Sequence, residues 1–445
     1  MTLLRMPTRP RAACWWLGWL MVGLVVLAPL RAGATNGMNL IGYGAVSCGM
    51  GGADLALVDN ATAMNINPAG LSGCCQPEIS AGLSLMQSRN HHADSHGNDL
   101  LAREQQFPLP LLAWASPLPD SAFIVGCGIF AQGGMGLEYH HFRTPFADRA
   151  PLPREHDSLS SNLSYMKITP TLAWRRSDDR LRLGISLNLG YAEADMRLFP
   201  ATSLYLPASA ACTEVGFFGV KMKDARAYSA ALRLGFQYRW GDFTLAGAYL
   251  SATDQHFRGG RAQVNYNAIG AGLRGYEAEL DGFNWPQQIG LGCSYLVSPA
   301  LRLALDVDWI NWSQAIDRIR FSLHRNQADE VPQRIRMNYP MHWNDQWVIA
   351  LGLEYHLSSR WRLRGGYNYG KSPVPSRYLL PYFPAIAEQH LTAGLGYAAG
   401  SWRLDLACEW ALPHAQASHN SLYCHHGFKE EMSQFTTHLL LHYRL

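Results

Sequence analysis

From about Ile79 to Leu445 the chain is written in short runs in which apolar and polar side chains alternate. Successive residues of a strand point to opposite faces, so such runs predict strands with one apolar and one polar side. In the run from Leu301, Leu301, Leu303, Leu305, Val307 and Trp309 share one face, and Arg302, Ala304, Asp306 and Asp308 share the other. Trp402, Leu404, Leu406, Cys408 and Trp410 likewise oppose Arg403, Asp405, Ala407 and Glu409. In the last run Phe435, Leu439, Leu441, Tyr443 and Leu445 fall opposite His438, His442 and Arg444.

The connections between runs are of two kinds. Ser116 to Asp120, Arg176 to Asp179, Gly241-Asp242, Ser298-Pro299, Ser358-Ser359 and Ala399-Gly400 read as tight turns, and loops of roughly twenty to thirty residues lie between them. Short turns on one side and long loops on the other are the habit of outer-membrane barrels. Counting gives an all-β, 14-stranded antiparallel transmembrane β-barrel with strands near 79–88, 109–116, 121–131, 161–174, 181–193, 225–240, 242–254, 286–297, 300–312, 345–357, 360–369, 389–398, 401–411 and 434–445. An even count puts both ends on the periplasmic side. Trp174, Trp240, Trp309, Trp312, Trp361 and Trp402 stand near strand ends, where indoles settle at the headgroups. A soluble sandwich also alternates, but lacks the asymmetry of turn and loop.

Residues 1–34 read as a secretory signal peptide: Arg5, Arg9 and Arg11 precede an apolar run from Cys14 to Leu30, and Ala32-Gly33-Ala34 is a small-x-small cleavage site. Of 37 basic residues, four arginines lie in this segment, leaving 33 against 34 acidic ones. So balanced a chain gives no footprint for nucleic acid and no strongly ion-selective pore. Among the remaining cysteines, Cys212 with Cys424, and Cys48 with Cys74 or Cys75, are open to disulfide pairing in an exported protein, whereas Cys127, Cys293 and Cys408 sit on strands. None shows metal-ligand spacing, and no cofactor motif occurs.

Residues 35–78 are too Gly-rich for strands but dense in motifs: Gly49-Met50-Gly51-Gly52-Ala53, Asp59-Asn60-Ala61 and Asn65-Ile66-Asn67-Pro68-Ala69-Gly70-Leu71. They resemble the N-terminal hatch of the FadL-type outer-membrane transporters (OMPP1/FadL/TodX) of long-chain fatty acids and other hydrophobic compounds. Trp285-Pro286, Asp308 to Trp312, Gly366 to Tyr369 and Pro373-Val374-Pro375 extend the likeness. The resemblance implies a hatch over 35–78 plugging a barrel over 79–445, a monomer in outer-membrane lipid, and a hydrophobic small molecule as partner. It implies capture in an apolar groove between the third and fourth extracellular loops, passage to a lumenal pocket, and sideways exit at a kink in the third strand.

The sequence has material for each stage. Loop three offers Phe199, Leu204, Tyr205, Leu206, Phe217 and Phe218, and loop four Ile269, Leu273, Tyr276, Leu280 and Phe283, all more apolar than solvated loops require. The third strand carries Gly126, Gly128, Gly133, Gly134 and Gly136, a density that permits a bulge or kink. A fatty-acid carboxylate needs an inward cation, for which parity selects Lys167, Arg233 and Arg364. Arg182, Arg302, Arg362 and Arg403 also point inward, but close to periplasmic turns, where hatch contacts and ion pairs with Asp306, Asp308 or Asp405 are expected. Fatty-acid uptake is thus the expected function, with a channel for neutral aromatic or aliphatic hydrocarbons as the alternative should the lumen lack an accessible cation. No Gly-x-Ser-x-Gly elbow supports a lipase, no enzymatic activity is expected, and His91, His92, Asp94 and His96 read as a polar loop. A general porin would pass small sugars, which a plugged barrel would not.

Overall fold

The computed structural model describes residues 36–103, 105–147, 155–208, 214–326, 329–419 and 427–445. The signal-peptide expectation over 1–34 and the Cys212–Cys424 pairing lie outside them. Fourteen antiparallel strands make the barrel: β1 (Glu78–Asp94), β3 (Gln105–Pro117), β4 (Phe123–Arg143), β5 (His156–Arg175), β6 (Leu181–Leu206), β7 (Val215–Trp240), β8 (Phe243–Leu250), β11 (Gln288–Ser298), β12 (Leu301–Ile310), β15 (Gln346–His356), β16 (Trp361–Gly370), β17 (Gln389–Ala399), β18 (Trp402–Ser418) and β19 (Phe428–Arg444). Pairing of β1 with β19 from Glu78↔Arg444 to Asp94↔Phe428 closes the sheet. Each of the fourteen expected strands has its counterpart. No described helix is long and apolar enough to cross a membrane.

The alternation decides which face meets lipid. Trp402, Leu404, Leu406 and Trp410 are exposed on the outer wall, while Asp405, Ala407 and Glu409 between them are buried. Cys127 and Cys408 also face outward. Two of the tight turns place Asp120 and Asp179 in the left-handed region (φ 53° and 54°), and two use Gly241 and Gly400 there (φ 61° and 60°). That conformation suits the residue types found.

The extracellular side differs from expectation. The long connections are largely sheet: β6 and β7 run on as one hairpin, and β9 (His256–Tyr266) pairs with β10 (Gly272–Asp281). β13 (Arg318–His324) pairs with β14 (Ile335–Pro340), and short β2 (Asp99–Leu101) pairs with β1. These five additional strands raise the wall well above the membrane. Their inner sides, with Phe257, Val264, Tyr276, Phe321 and Leu323, form the main apolar core that caps the barrel mouth. Between β16 and β17 the segment 371–388 folds inward and buries Leu379, Phe383 and Ile386 in the same core. At this rim His92 is fully buried, its Nε2 3.1 Å from Asp94 and its Nδ1 bonded to Glu430.

Cys48, Cys74 and Cys75 are free, so the proposed bridge within the N-terminal segment does not form. Cys74 lies near the Asp59 carbonyl, whereas Gly49, beside Cys48, packs on Gly394 and Ala407 of the wall. The two thiols serve different contacts.

Candidate substrate channel

Residues 36–77 lie inside the barrel as α1 (Ala45–Gly49) and two 3₁₀ turns, Ala61–Asn65 and Pro68–Gly73. The turns of this hatch satisfy much of its backbone, and the wall satisfies further groups. Asp306 accepts from the Asp54 and Leu55 amides at 2.7 and 2.9 Å. Asn67 caps the second turn at the Ala69 amide and donates to the Leu55 and Phe236 carbonyls. Gln237 donates to Leu55 and Val58, and Asn368 donates to Gly51. Gly51 (φ 67°) lies so close to β16 that a Cβ would stand 2.8 Å from the Tyr367 nitrogen. Met50 is buried on the wall with Ala53, Ala304 and Ala350. Pro68, Ala69 and Gly70 are buried beneath, Gly70 against Val58.

Among the described residues the ladder between β3 and β4 is broken part-way along. β3 pairs with β1 along its whole length, from Ala115↔Glu78 to Gln105↔Ser88. Its ladder to β4, by contrast, stops at Leu111↔Phe130. Pro108 and Pro110 remove two amide donors from the outer half of β3. From Ala131 onward β4 is carried by β5 alone, with a register shift between Ala131 and Gly133. Beyond this stretch Arg103, which precedes β3, donates its amide to the Glu138 carbonyl at 2.8 Å. Between these rungs, along β4 residues 131–137, is a window about 20 Å long at roughly 3.3 Å per residue. Gly133 (φ 153°) bridges to Asn39 of the hatch, and a Cβ there would overlap the Met38 carbonyl. A Cβ on Gly134 would overlap the Leu163 carbonyl. Gly136 borders the same space, whereas Gly126 and Gly128 lie lower, in the intact ladder opposite Ala115 and Ala113. Three of the five glycines expected at a lateral opening thus sit at the break and two do not.

Behind the window is a cavity of about 430 Å³. Met38 and Ile41 of the hatch form its floor side, Phe107, Pro108 and Leu109 the β3 edge, and Met135, Met196, Met222 and Met432 much of the rest. Methionines suit a lining that must fit solutes of varied shape. Its charged lining is Glu138, Asp195 and Glu409 with Arg197, which is bound to Glu138 at 2.9 Å, and the exposed Lys223. A small apolar cavity of about 40 Å³ shares Asn162, Leu163, Met196 and Met222 with it and extends to Leu280, Phe283 and Phe383.

The eleven expected groove residues are not brought into one groove. β7 pairs with β9 from Val220↔Val264 to Arg226↔Arg258, which fuses the two loops into one sheet. Phe199, Leu204, Tyr276 and Leu280 are buried in the mouth core. Phe217 and Phe218 are partly buried against it, the first stacked on Phe146 at 4.2 Å, the second tilted against Tyr266 at 4.7 Å. Phe283 meets Phe383 at 4.9 Å. Leu206 is half-buried, and Tyr205, Ile269 and Leu273 are exposed.

The inward cations are likewise dispersed. Arg364 is fully buried between Glu354 at 2.9 Å and Asp405 at 2.8 Å, so the expectation that it awaits a ligand carboxylate is corrected: two acids already neutralise it. Arg233 donates to the Ile66 carbonyl at 2.6 Å and lines a separate polar cavity of about 50 Å³ with Asp54 and Asp308. There burial pushes the Asp54 carboxyl up to about 7. Lys167 is buried and, among the described residues, has no ion pair. Neither Lys167 nor Arg233 lines the large cavity. Arg182 and Arg403 bind Asp179 and Asp405 at 2.8 and 2.7 Å, while Arg302 and Arg362 stand beside the hatch. Asp306 serves the hatch amides instead of an arginine.

Sequence reasoning missed the inner segment 371–388, and it set Trp312 at the headgroups, whereas that indole is fully buried beneath the segment. Trp285, Trp312 and Trp343 are fully buried at successive ring distances of 6.5 and 5.3 Å, and Trp343 meets Phe383 at 5.9 Å. Trp285 also bonds Asn39 of the hatch. The run Leu379-Leu380-Pro381-Tyr382-Phe383, too apolar for a solvated loop, was the available signal.

Comparison with curated proteins gave no match. Among solved structures the chain is similar to the toluene transporter TodX of Pseudomonas putida, at 20% identity over 92% of this chain and 99% of that one, TM-score 0.74. It is similar also to the toluene transporter TbuX of Ralstonia pickettii (21%, 92% and 99%, TM-score 0.70) and to a FadL homologue of Pseudomonas aeruginosa (15%, 92% and 99%, TM-score 0.71). The profile of the outer membrane protein transport proteins (OMPP1/FadL/TodX) matches residues 32–420. The chain is an outer-membrane protein of the OMPP1/FadL/TodX family, a transporter of hydrophobic compounds and not an enzyme.

Proposed function

We propose that the protein admits small neutral hydrophobic compounds, aromatic hydrocarbons foremost, which occupy the 430 Å³ cavity and leave sideways into the membrane through the window between β3 and β4. The observation that carries this reading is the charge of the lining. Three carboxylates face two cations there, one of them already paired, so a fatty-acid carboxylate would meet like charge, whereas a neutral ring meets methionine, leucine and phenylalanine. An apolar cavity of about 150 Å³ already holds benzene, and this one is nearly three times larger. Two of the similar structures are described as toluene transporters.

Long-chain fatty acids remain the second reading, favoured by one observation: Lys167 is a buried cation without an acidic partner among the described residues. Equilibrium binding of toluene, benzoate and a labelled long-chain fatty acid to the purified protein separates the two. Toluene binding that outcompetes benzoate and is unchanged by Lys167→Met supports the neutral reading. Tighter fatty-acid binding, lost in Lys167→Met, overturns it.

A further inference from the structure

One cluster of donor groups meets the cavity lining at Glu409 but is otherwise unused by the proposed route. β18 and β19 bring Glu409 and His438 inward, and α1 of the hatch brings Cys48 against them. All three are buried, and their donor atoms lie within 4.8 Å of one another. Thiol, carboxylate and imidazole converge here from three distant parts of the chain.

The imidazole is prepared in a particular way. His438 Nδ1 is held by the Ser84 hydroxyl at 2.7 Å, which leaves Nε2 turned toward Glu409. Nε2 is 3.3 Å from a Glu409 oxygen, yet it has no hydrogen-bond partner although fully enclosed. The other Glu409 oxygen is fixed by His390 Nδ1 at 2.8 Å. A ligand imidazole anchored through its other nitrogen, and a ligand carboxylate held by a neighbour, are how metal sites orient their ligands.

We propose that Cys48 Sγ, a Glu409 carboxylate oxygen and His438 Nε2 bind one divalent cation of the Zn²⁺ class. Thiolate with imidazole selects Zn²⁺ over Mg²⁺ or Ca²⁺, which take oxygen ligands. Tetrahedral Zn²⁺ with bonds of about 2.0–2.3 Å sets its ligands roughly 3.3–3.8 Å apart, so a separation within 4.8 Å closes with movements of under about an ångström each. Binding displaces the Cys48 thiol proton to solvent, and water completes the fourth position. Because Cys48 belongs to the hatch and the other two ligands to the wall, the cation is a staple that holds the plug in place. Glu409 also lines the large cavity, so a bound cation offsets one of the carboxylates used in the neutral-solute reading; metal retention is read out without any solute and fails or stands separately from that reading.

The test uses the full mature chain in detergent, stripped with chelator, loaded with Co²⁺ alone and desalted. The expected result is one retained Co²⁺ per chain with a thiolate-to-cobalt charge-transfer band. Cys48→Ser abolishes the band, and His438→Gln lowers retention at least tenfold, in protein whose heat-modifiable migration shows an intact barrel. Failure of the folded wild type to retain Co²⁺ above the Cys48→Ser/His438→Gln double variant overturns the site. So does a band that survives Cys48→Ser, because the metal would then sit on other residues. Should Cys48→Ser not fold, the band and retention of His438→Gln decide alone.

Discussion

A methyl group on Gly133 would overlap the carbonyl oxygen of Met38. The kinked strand β4 and the start of the hatch therefore touch backbone to backbone at the inner edge of the window, with no side chain between them. Gly133→Val should force one of the two to shift and narrow the passage. We expect uptake of a labelled aromatic by cells to fall at least tenfold while the barrel still resists SDS unless heated. Unchanged uptake would place the route elsewhere.

Asp306 holds two hatch amides that have no other acceptor. In Asp306→Ala each amide left unsatisfied costs about 1–3 kcal/mol. The hatch should loosen before the barrel does: single-channel conductance in planar bilayers should rise, and Asp306→Asn, which keeps an acceptor oxygen, should fall between the two.

Arg364 faces Glu354 and Asp405. Its removal leaves buried Glu354 without its arginine while Asp405 keeps Arg403, a loss on the order of 3–5 kcal/mol. Arg364→Ala should lower the temperature at which the barrel unfolds in SDS, and adding Glu354→Gln should recover part of it. Preference between toluene and benzoate should not move. A change in that preference would return Arg364 to the binding site.

The extracellular rim should respond to pH. Burial acts to lower the His92 imidazolium, but Asp94 and Glu430 outweigh it and hold the group up to about 9. A group whose pKa is higher when folded contributes stability that is complete below its ordinary value near 6.5 and is lost as pH rises through 9. Burial also pushes Glu430 up, to about 7, so both partners favour keeping the proton and the sign is the same. After correction for intrinsic rates, amide exchange at 90–100 should accelerate between about pH 7 and 9, and His92→Gln should flatten that dependence.

Within the membrane the strands were legible because lipid imposes one rule on every outward residue, as in Leu404 and Leu406 against Asp405. Above it the rule lapses. Ile319, Phe321 and Leu323 alternate with Arg318, Arg320 and Ser322 as regularly as any barrel strand, but with arginines outward they read as loop. Parity correctly turned Lys167, Arg233 and Arg364 inward, yet it could not say which acid each would meet, since Arg364 finds Asp405 from 41 residues away. The groove expectation failed for the same reason. Whether two apolar loops enclose a space or pair edge to edge depends on the β7–β9 register, which no local pattern encodes.

The window is framed above and below by intact rungs, Arg103–Glu138 and Leu111–Phe130. It is a slot built into the wall, and the ladder bonds missing along it are absent from the resting fold itself. On the proposed lateral route, passage breaks no backbone pairing, and turnover need not strain the hoop of the barrel. On that route side-chain motion meters traffic, chiefly that of methionines with several torsions each. Flux should therefore depend weakly on temperature and on solute length, and steeply on solute width.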